Sequence, residues 1–207
     1  MSHQLRAVLA QPNTDVIDAV LREDGAAGAG LFRLAASFGS PTVRVDVAVN
    51  GRPHVFPAAE RVRALLELLF ARLDTLCQLA TTPDLDVDVA AFAIWGLTAI
   101  HPFDNANGRT AVAFAQLLLA QRWSTSSSPL ALPNDAHTRL APLMMDIDVA
   151  ESDVSPLGQL RSAARVEARL RTLRLEDIGS VPGLARTSAA LRAALLPALA
   201  ERVQFSS

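Results

Sequence analysis

The segment His101-Pro-Phe-Asp-Asn-Ala-Asn-Gly-Arg109 separates two apolar runs and carries little hydrophobic character of its own. The run before it, Val87 to Ile100, has helical rather than strand length, with Asp86 and Asp88 as candidate N-caps. Its end is predicted at His101, because Pro102 disfavours helical geometry at the residue before it. Thr110 to Arg122 again reads as helix, so Asn107, Gly108 and Arg109 fall at or inside a helix start. Unpaired backbone N–H groups and the positive end of the helix dipole favour an anion there. Gly108 allows the backbone to approach that anion closely, and Arg109 can fork two donors onto phosphate oxygens. His101 faces the same space and belongs to the residue type best suited to act as a base near neutral pH. A lone His or a lone Arg would read as an ordinary helix connection. A base, an anion-binding helix start and an arginine within one loop point to phosphate handling.

These residues resemble the core motif of Fic domains, His-Pro-Phe-x-Asp/Glu-Gly-Asn-Gly-Arg-x-x-Arg. His101, Pro102, Phe103, Asn107, Gly108 and Arg109 match it in type and spacing. Asn105 stands at the acidic position, Ala106 at a glycine and Val112 at the second arginine. The resemblance implies an all-α, Fic-like helical fold with a small β-hairpin flap. It also implies a transferase that moves a nucleotidyl group, mostly AMP from ATP, onto a hydroxyl of a target protein. His101 and Arg109 would then be catalytic, with Phe103, Asn107, Gly108 and Arg109 holding the nucleotide. In the family the acidic residue holds a divalent metal on the nucleotide phosphates, and the second arginine grips the terminal phosphate. Here Asn105 offers Mg²⁺ a neutral amide oxygen without countercharge, and Asp104 is the substitute ligand if the loop shifts. Two other readings stay open. One is a degenerate Fic-fold protein that binds a nucleotide or a protein without transfer; the other is a Fic-fold enzyme retuned to another diphosphate-containing donor or a small-molecule reaction.

The rest of the chain narrows the class. Its 207 residues suit one domain or a domain with an appendage, and the 50% hydrophobic content supports a sizeable core without staples. The single cysteine, Cys77, excludes an internal disulfide framework and a cysteine-rich zinc site, and reads as a small buried apolar residue. A net charge of −2 argues against nucleic acid bound through counterion release. All 19 basic residues are arginine, so neither a Schiff-base lysine nor a P-loop lysine is available. Arginine and alanine enrichment points to a GC-rich bacterial genome. With no span-length apolar run and no signal-peptide core at the N-terminus, the expectation is a cytoplasmic protein away from membranes.

Along the chain, three parts are expected: a helical segment over 1–42, a core with flap and motif loop over 43–123, and C-terminal helices over 124–207. Two short helices are predicted near 14–23 and 29–38, joined by a linker containing Gly25, Gly28 and Gly30. Val43 to Val49 alternates strictly and precedes Asn50-Gly51, a favoured hairpin turn, with Arg52 to Phe56 returning. In the family such a hairpin docks an extended piece of the target, so a target protein is expected along 43–56 by strand addition. His54 reads there as a surface or edge residue. Pro57 suits a first helical turn, and Ala58 to Leu76 carries a stripe of Val62, Leu65, Leu66, Leu69 and Leu73. A polar loop over Ser124–Ser128 and a short helix after Asp135 are expected, with His137 and Arg139 in capping or surface roles. Pro156 to Glu176 and Gly183 to Arg202 read as amphipathic helices, with Arg161, Arg165 and Arg169 on solvated faces. A self-inhibitory Ser/Thr-x-x-x-Glu-Gly/Asn helix, common in the family, has its nearest match at Thr172 to Asp177 but misses the last position. Without an arginine at Val112, its glutamate would also lack a partner, so this lock is expected to be absent.

Overall fold

The computed structural model of the chain describes residues 45–49, 52–103, 107–123, 151–153 and 155–205. The helices expected at 14–23 and 29–38, the Asn50-Gly51 turn, the loop residues Asp104, Asn105 and Ala106, and all of 124–150, with His137 and Arg139, lie outside the described residues. Strands β1 (Val45–Val49) and β2 (Arg52–His54) pair antiparallel. Val49 faces Arg52 and Val45 faces His54, so the register shifts along this short ladder. The return strand is shorter than expected because Val55 turns away from the hairpin. Its N–H donates to the Glu151 carbonyl at 2.7 Å.

Helix α1 (Ala59–Leu79) follows, with Pro57 lying just ahead of the N-cap Ala58 rather than in the first turn. Its stripe is buried at Val62, Leu65, Leu69, Leu73, Leu76 and Cys77. Full burial of each leucine contributes about 1.5–3 kcal/mol before the entropy of ordering is counted. Cys77 sits inside as read, and burial pushes its thiol up.

Helix α2 spans Pro83–Ile100, starting earlier than the apolar run suggests. The N-cap is Thr82, whose hydroxyl accepts from the Leu85 N–H at 3.3 Å, and Pro83 takes the first helical position. Asp86 and Asp88 are therefore not caps but lie inside the helix. From Val89 to Ile100 every residue is buried, which marks α2 as the central helix. Its packing on α1 is closest at Gly96, where an added Cβ would come within 2.5 Å of a Leu69 methyl.

Helix α3 (Asn107–Trp123) packs along α2. The Asp86 carboxylate accepts from Arg122 Nε and, at 2.9 Å, from Trp123 Nε1, so the end of α3 lies beside the start of α2 and the pair is antiparallel. Arg122 also donates to the carbonyls of Cys77 and Ala80 at 2.7 and 2.6 Å, capping α1 with the same side chain.

The C-terminal part departs from the expected pair of helices. Helix α4 (Pro156–Thr172) stops short, and a 3₁₀ turn over Leu175–Ser180 leads to α5 (Pro182–Phe205). The break is fixed by Arg72, which donates to the Leu173 carbonyl at 2.6 Å, and by burial of Leu173, Leu175 and Ile178. Helix α4 packs on α1, while α5 and the 3₁₀ turn pack on α2. Arg192 fastens α5 to the start of α2, bonding the Asp84 and Asp88 carboxylates at 2.9 and 2.7 Å. Arg161 and Arg165 keep much of the solvent exposure expected of them, and also meet the buried Glu151 at 3.0 and 3.6 Å; Arg161 reaches Asp153 as well. A buried carboxylate needs that compensation, and periodicity alone carries no sign of it. Among the described residues no helix is long and apolar enough to cross a membrane.

Candidate functional site

Helix α2 ends at His101, whose N–H still donates to the Leu97 carbonyl at 3.0 Å. Its backbone is left-handed, at φ 54 and ψ 59, the single positive-φ non-glycine among the described residues. Pro102 accounts for the end of the helix, as the sequence indicated. The left-handed turn itself was not legible, because glycine is the usual residue for it. Such a backbone costs a non-glycine residue about 1–2 kcal/mol, so a side chain is kept where glycine would be easier.

The His101 imidazole is 8% exposed and lies face to face on Phe56, with ring centroids 3.8 Å apart and planes 20° apart. Phe56 in turn meets His54 edge-on, at 4.7 Å and 80°. His54 is 4% exposed, which corrects its reading as a surface or edge residue. The chain turns inward after β2 to bond Glu151, and carries His54 and Phe56 with it. Burial lowers the His54 pKa to about 4, against a smaller opposing pull from the Glu151 carboxylate. At neutral pH His54 is therefore uncharged.

On the other side of the loop, Phe103 is buried, as an anchor should be. Asn107 Oδ1 accepts from the Phe103 N–H at 2.9 Å, and its Nδ2 donates to the Phe103 carbonyl at 2.8 Å. The side-chain amide, expected at the nucleotide, is thus bonded to the Phe103 backbone. Gly108 and Arg109 follow, both half-buried, and the first turn of α3 holds no acidic residue. Asp104 and Asn105, the expected metal ligands, lie outside the described residues.

The arginines sharpen the picture. Arg61, Arg63, Arg122, Arg161, Arg165, Arg171, Arg174 and Arg192 all meet carboxylates. Arg72, Arg109 and Arg186 have no carboxylate partner among the described residues; Arg72 donates instead to the Leu173 carbonyl, Arg186 is exposed, and Arg109 is half-buried. A guanidinium so placed at the positive end of a helix favours an incoming anion. Two hydroxyls that no sequence pattern singled out flank the loop. Thr98, a turn before His101, and Thr110, in the first turn of α3, each bury an Oγ1 with no hydrogen-bond partner. A buried hydroxyl left so costs about 1–3 kcal/mol.

Val112, at the position of the motif's second arginine, is 8% exposed and packs within the hydrophobic core. Glu176, in the nearest match to the inhibitory pattern, is exposed in the 3₁₀ turn and pairs with Arg174 at 3.2 Å.

Comparison with known proteins gives one finding beyond the geometry. A family model described as Fic/DOC family matches residues 17–119, a span that contains the hairpin, α1, α2, the motif loop and most of α3. No curated protein and no solved structure matches the chain.

Proposed function

The chain belongs to the Fic/DOC family through residues 17–119, and from that premise we propose that it transfers a nucleotidyl group, of AMP type, from a nucleotide donor to a hydroxyl. Members of the family are generally transferases of phosphate-containing groups. The observation that carries the proposal is Arg109, half-buried in the first turn of α3 without a carboxylate partner among the described residues, eight residues after the buried His101 that ends α2.

In the proposed reaction His101 takes the proton of the acceptor hydroxyl as its oxygen attacks the α-phosphorus. The new O–P bond forms as the bond to the leaving pyrophosphate breaks. Arg109 and the first amides of α3 stabilise the charge that spreads over the phosphoryl oxygens. Phe103 and Asn107 keep the loop in register. The acceptor hydroxyl belongs to a protein segment laid along the hairpin, which serves as a flap, by strand addition. The donor set is thin for Mg²⁺: one carboxylate at Asp104, one amide oxygen at Asn105 and no acidic residue in the first turn of α3. Countercharge therefore rests on Arg109.

Val112 favours a second reading. With an apolar core residue where the family grips the terminal phosphate, a donor with another group beyond its first phosphates, such as a diphosphate conjugate, suits the same loop.

The test is a screen of labelled ATP, other nucleoside triphosphates and diphosphate conjugates, with mass detection of modified protein or small product. Transfer from one donor is expected. His101→Ala should lower it by roughly two to four orders of magnitude while leaving donor binding in place, and Arg109→Ala should weaken that binding. If no probe binds in a way that Arg109→Ala weakens, the site reading is wrong; an unchanged rate in His101→Ala would refute the base.

A further inference from the structure

The family motif begins at His101, yet the side chain stacked on the His101 ring comes from outside it. Residues 54–56 leave β2 and are pinned at three points. His54 pairs with Val45 across the hairpin, Val55 donates to the Glu151 carbonyl at 2.7 Å, and Phe56 is 3% exposed. Phe56 therefore has little freedom to move, and it presents its face to the imidazole of His101 at 3.8 Å. His54 closes its edge at 4.7 Å. Glu151 is itself fixed by Arg161, Arg165 and the N–H groups of Ser152 and Asp153.

We infer that Phe56 is a positioning residue for the base, with the His54–Phe56–His101 stack holding the imidazole in one orientation. The inference deepens the proposed transfer and rests on His101 being its base. His101 sits on a left-handed backbone at the end of a helix, where the main chain alone fixes the direction of Cβ but not the turn of the ring about it. A flat neighbour at stacking distance supplies that second constraint. A base must point one chosen nitrogen at the reacting hydroxyl, and misplacement of about 1 Å can cost on the order of a hundredfold in rate. Phe56 achieves this from the segment that follows the hairpin, so whatever lies along β2 is in covalent and packing continuity with the base.

The test compares Phe56→Leu, which keeps an apolar group of similar volume, with Phe56→Tyr, which keeps the ring. The full chain carries four histidines, so the His101 ring signals can be assigned by their loss in His101→Gln. In the unsubstituted protein and in Phe56→Tyr, the His101 ring protons should lie upfield, under the aromatic face. In Phe56→Leu the upfield shift should vanish. With the donor found in the screen, kcat should fall about ten- to a hundredfold with KM within about twofold, and Phe56→Tyr should restore it. A folded Phe56→Leu protein with unchanged His101 signals, or with lost stacking but an unchanged kcat, would overturn the inference. If the unsubstituted protein transfers nothing, the proposed reaction fails, while the ring-proton shift still decides whether Phe56 holds His101.

Discussion

Asn107 holds Phe103 by both of its backbone groups, accepting from the N–H at 2.9 Å and donating to the carbonyl at 2.8 Å. Only a side-chain amide can do both at once. Asn107→Asp should be more damaging than its shape implies, because a carboxylate cannot donate and would face the Phe103 carbonyl. Asn107→Ala removes both of these buried hydrogen bonds. Each variant should lose about 2 kcal/mol or more in urea unfolding, together with most of its affinity for the anion probe. Full stability in both would show that the closed loop does not depend on this clamp.

The left-handed backbone of His101 gives an inverted expectation for a catalytic position. Alanine there retains the Cβ that conflicts with the backbone, whereas glycine does not. Both variants lose the stacked ring and should lose activity alike, but His101→Gly should be the more stable by about 1 kcal/mol. Equal unfolding midpoints, or a more stable alanine variant, would mean that the turn is relaxed when the imidazole is gone.

How much was legible follows from which residues carry local signals. The stripe of α1, the pattern of β1 and the break at Pro102 are set within a few residues, and each was readable. The start of α2 was misplaced because its first turn is acidic. The apolar run marks only where burial begins, and Thr82-Pro83 marks where the helix begins. The break after Thr172 was missed because its causes are distant: Arg72 takes the Leu173 carbonyl from another helix. Around the loop the motif pointed to His101, Phe103 and Arg109, of which the structure buries the first two and half-buries the third. His54 and Phe56 were hidden because a strand pattern tells which residues alternate, not that the chain turns inward to meet Glu151.

His54 sets a pH dependence. In the folded chain burial lowers its pKa from 6.5 to about 4, so the folded form resists a proton that the unfolded chain accepts. The stability it contributes is therefore complete above about pH 6.5 and is lost as the pH falls towards 4. Between pH 7 and pH 5 this loss should reach about 2 kcal/mol. Glu151, Glu167 and Asp177 are held below the usual carboxylate range, chiefly by hydrogen bonds from arginines. Their contributions fade only at lower pH. His54→Phe should flatten the pH 7 to pH 5 difference in urea midpoint. A variant that keeps the full slope would place the titrating group elsewhere.

Val112 decides whether the family's lost phosphate grip can be rebuilt. By motif logic, Val112→Arg with Asn105→Asp should recover ATP affinity and Mg²⁺ dependence in a weakened AMP transferase. Burial changes what each half of that pair can do. Val112 is 8% exposed and belongs to the core shared by α2 and α3, so a guanidinium there starts in apolar surroundings. Val112→Arg alone should cost several kcal/mol of stability, on the order of 3, and should leave the ratio of ATP to ADP affinity unchanged. Asn105→Asp restores the motif's acidic residue and should raise Mg²⁺ dependence by itself. Calorimetric titration with ATP and ADP, with and without Mg²⁺, alongside urea unfolding separates the two effects. A stable Val112→Arg protein that prefers ATP over ADP by tenfold would mean that residue 112 reaches the phosphate site after all, and the protein would then be an AMP transferase weakened at one side chain rather than an enzyme retuned to another donor.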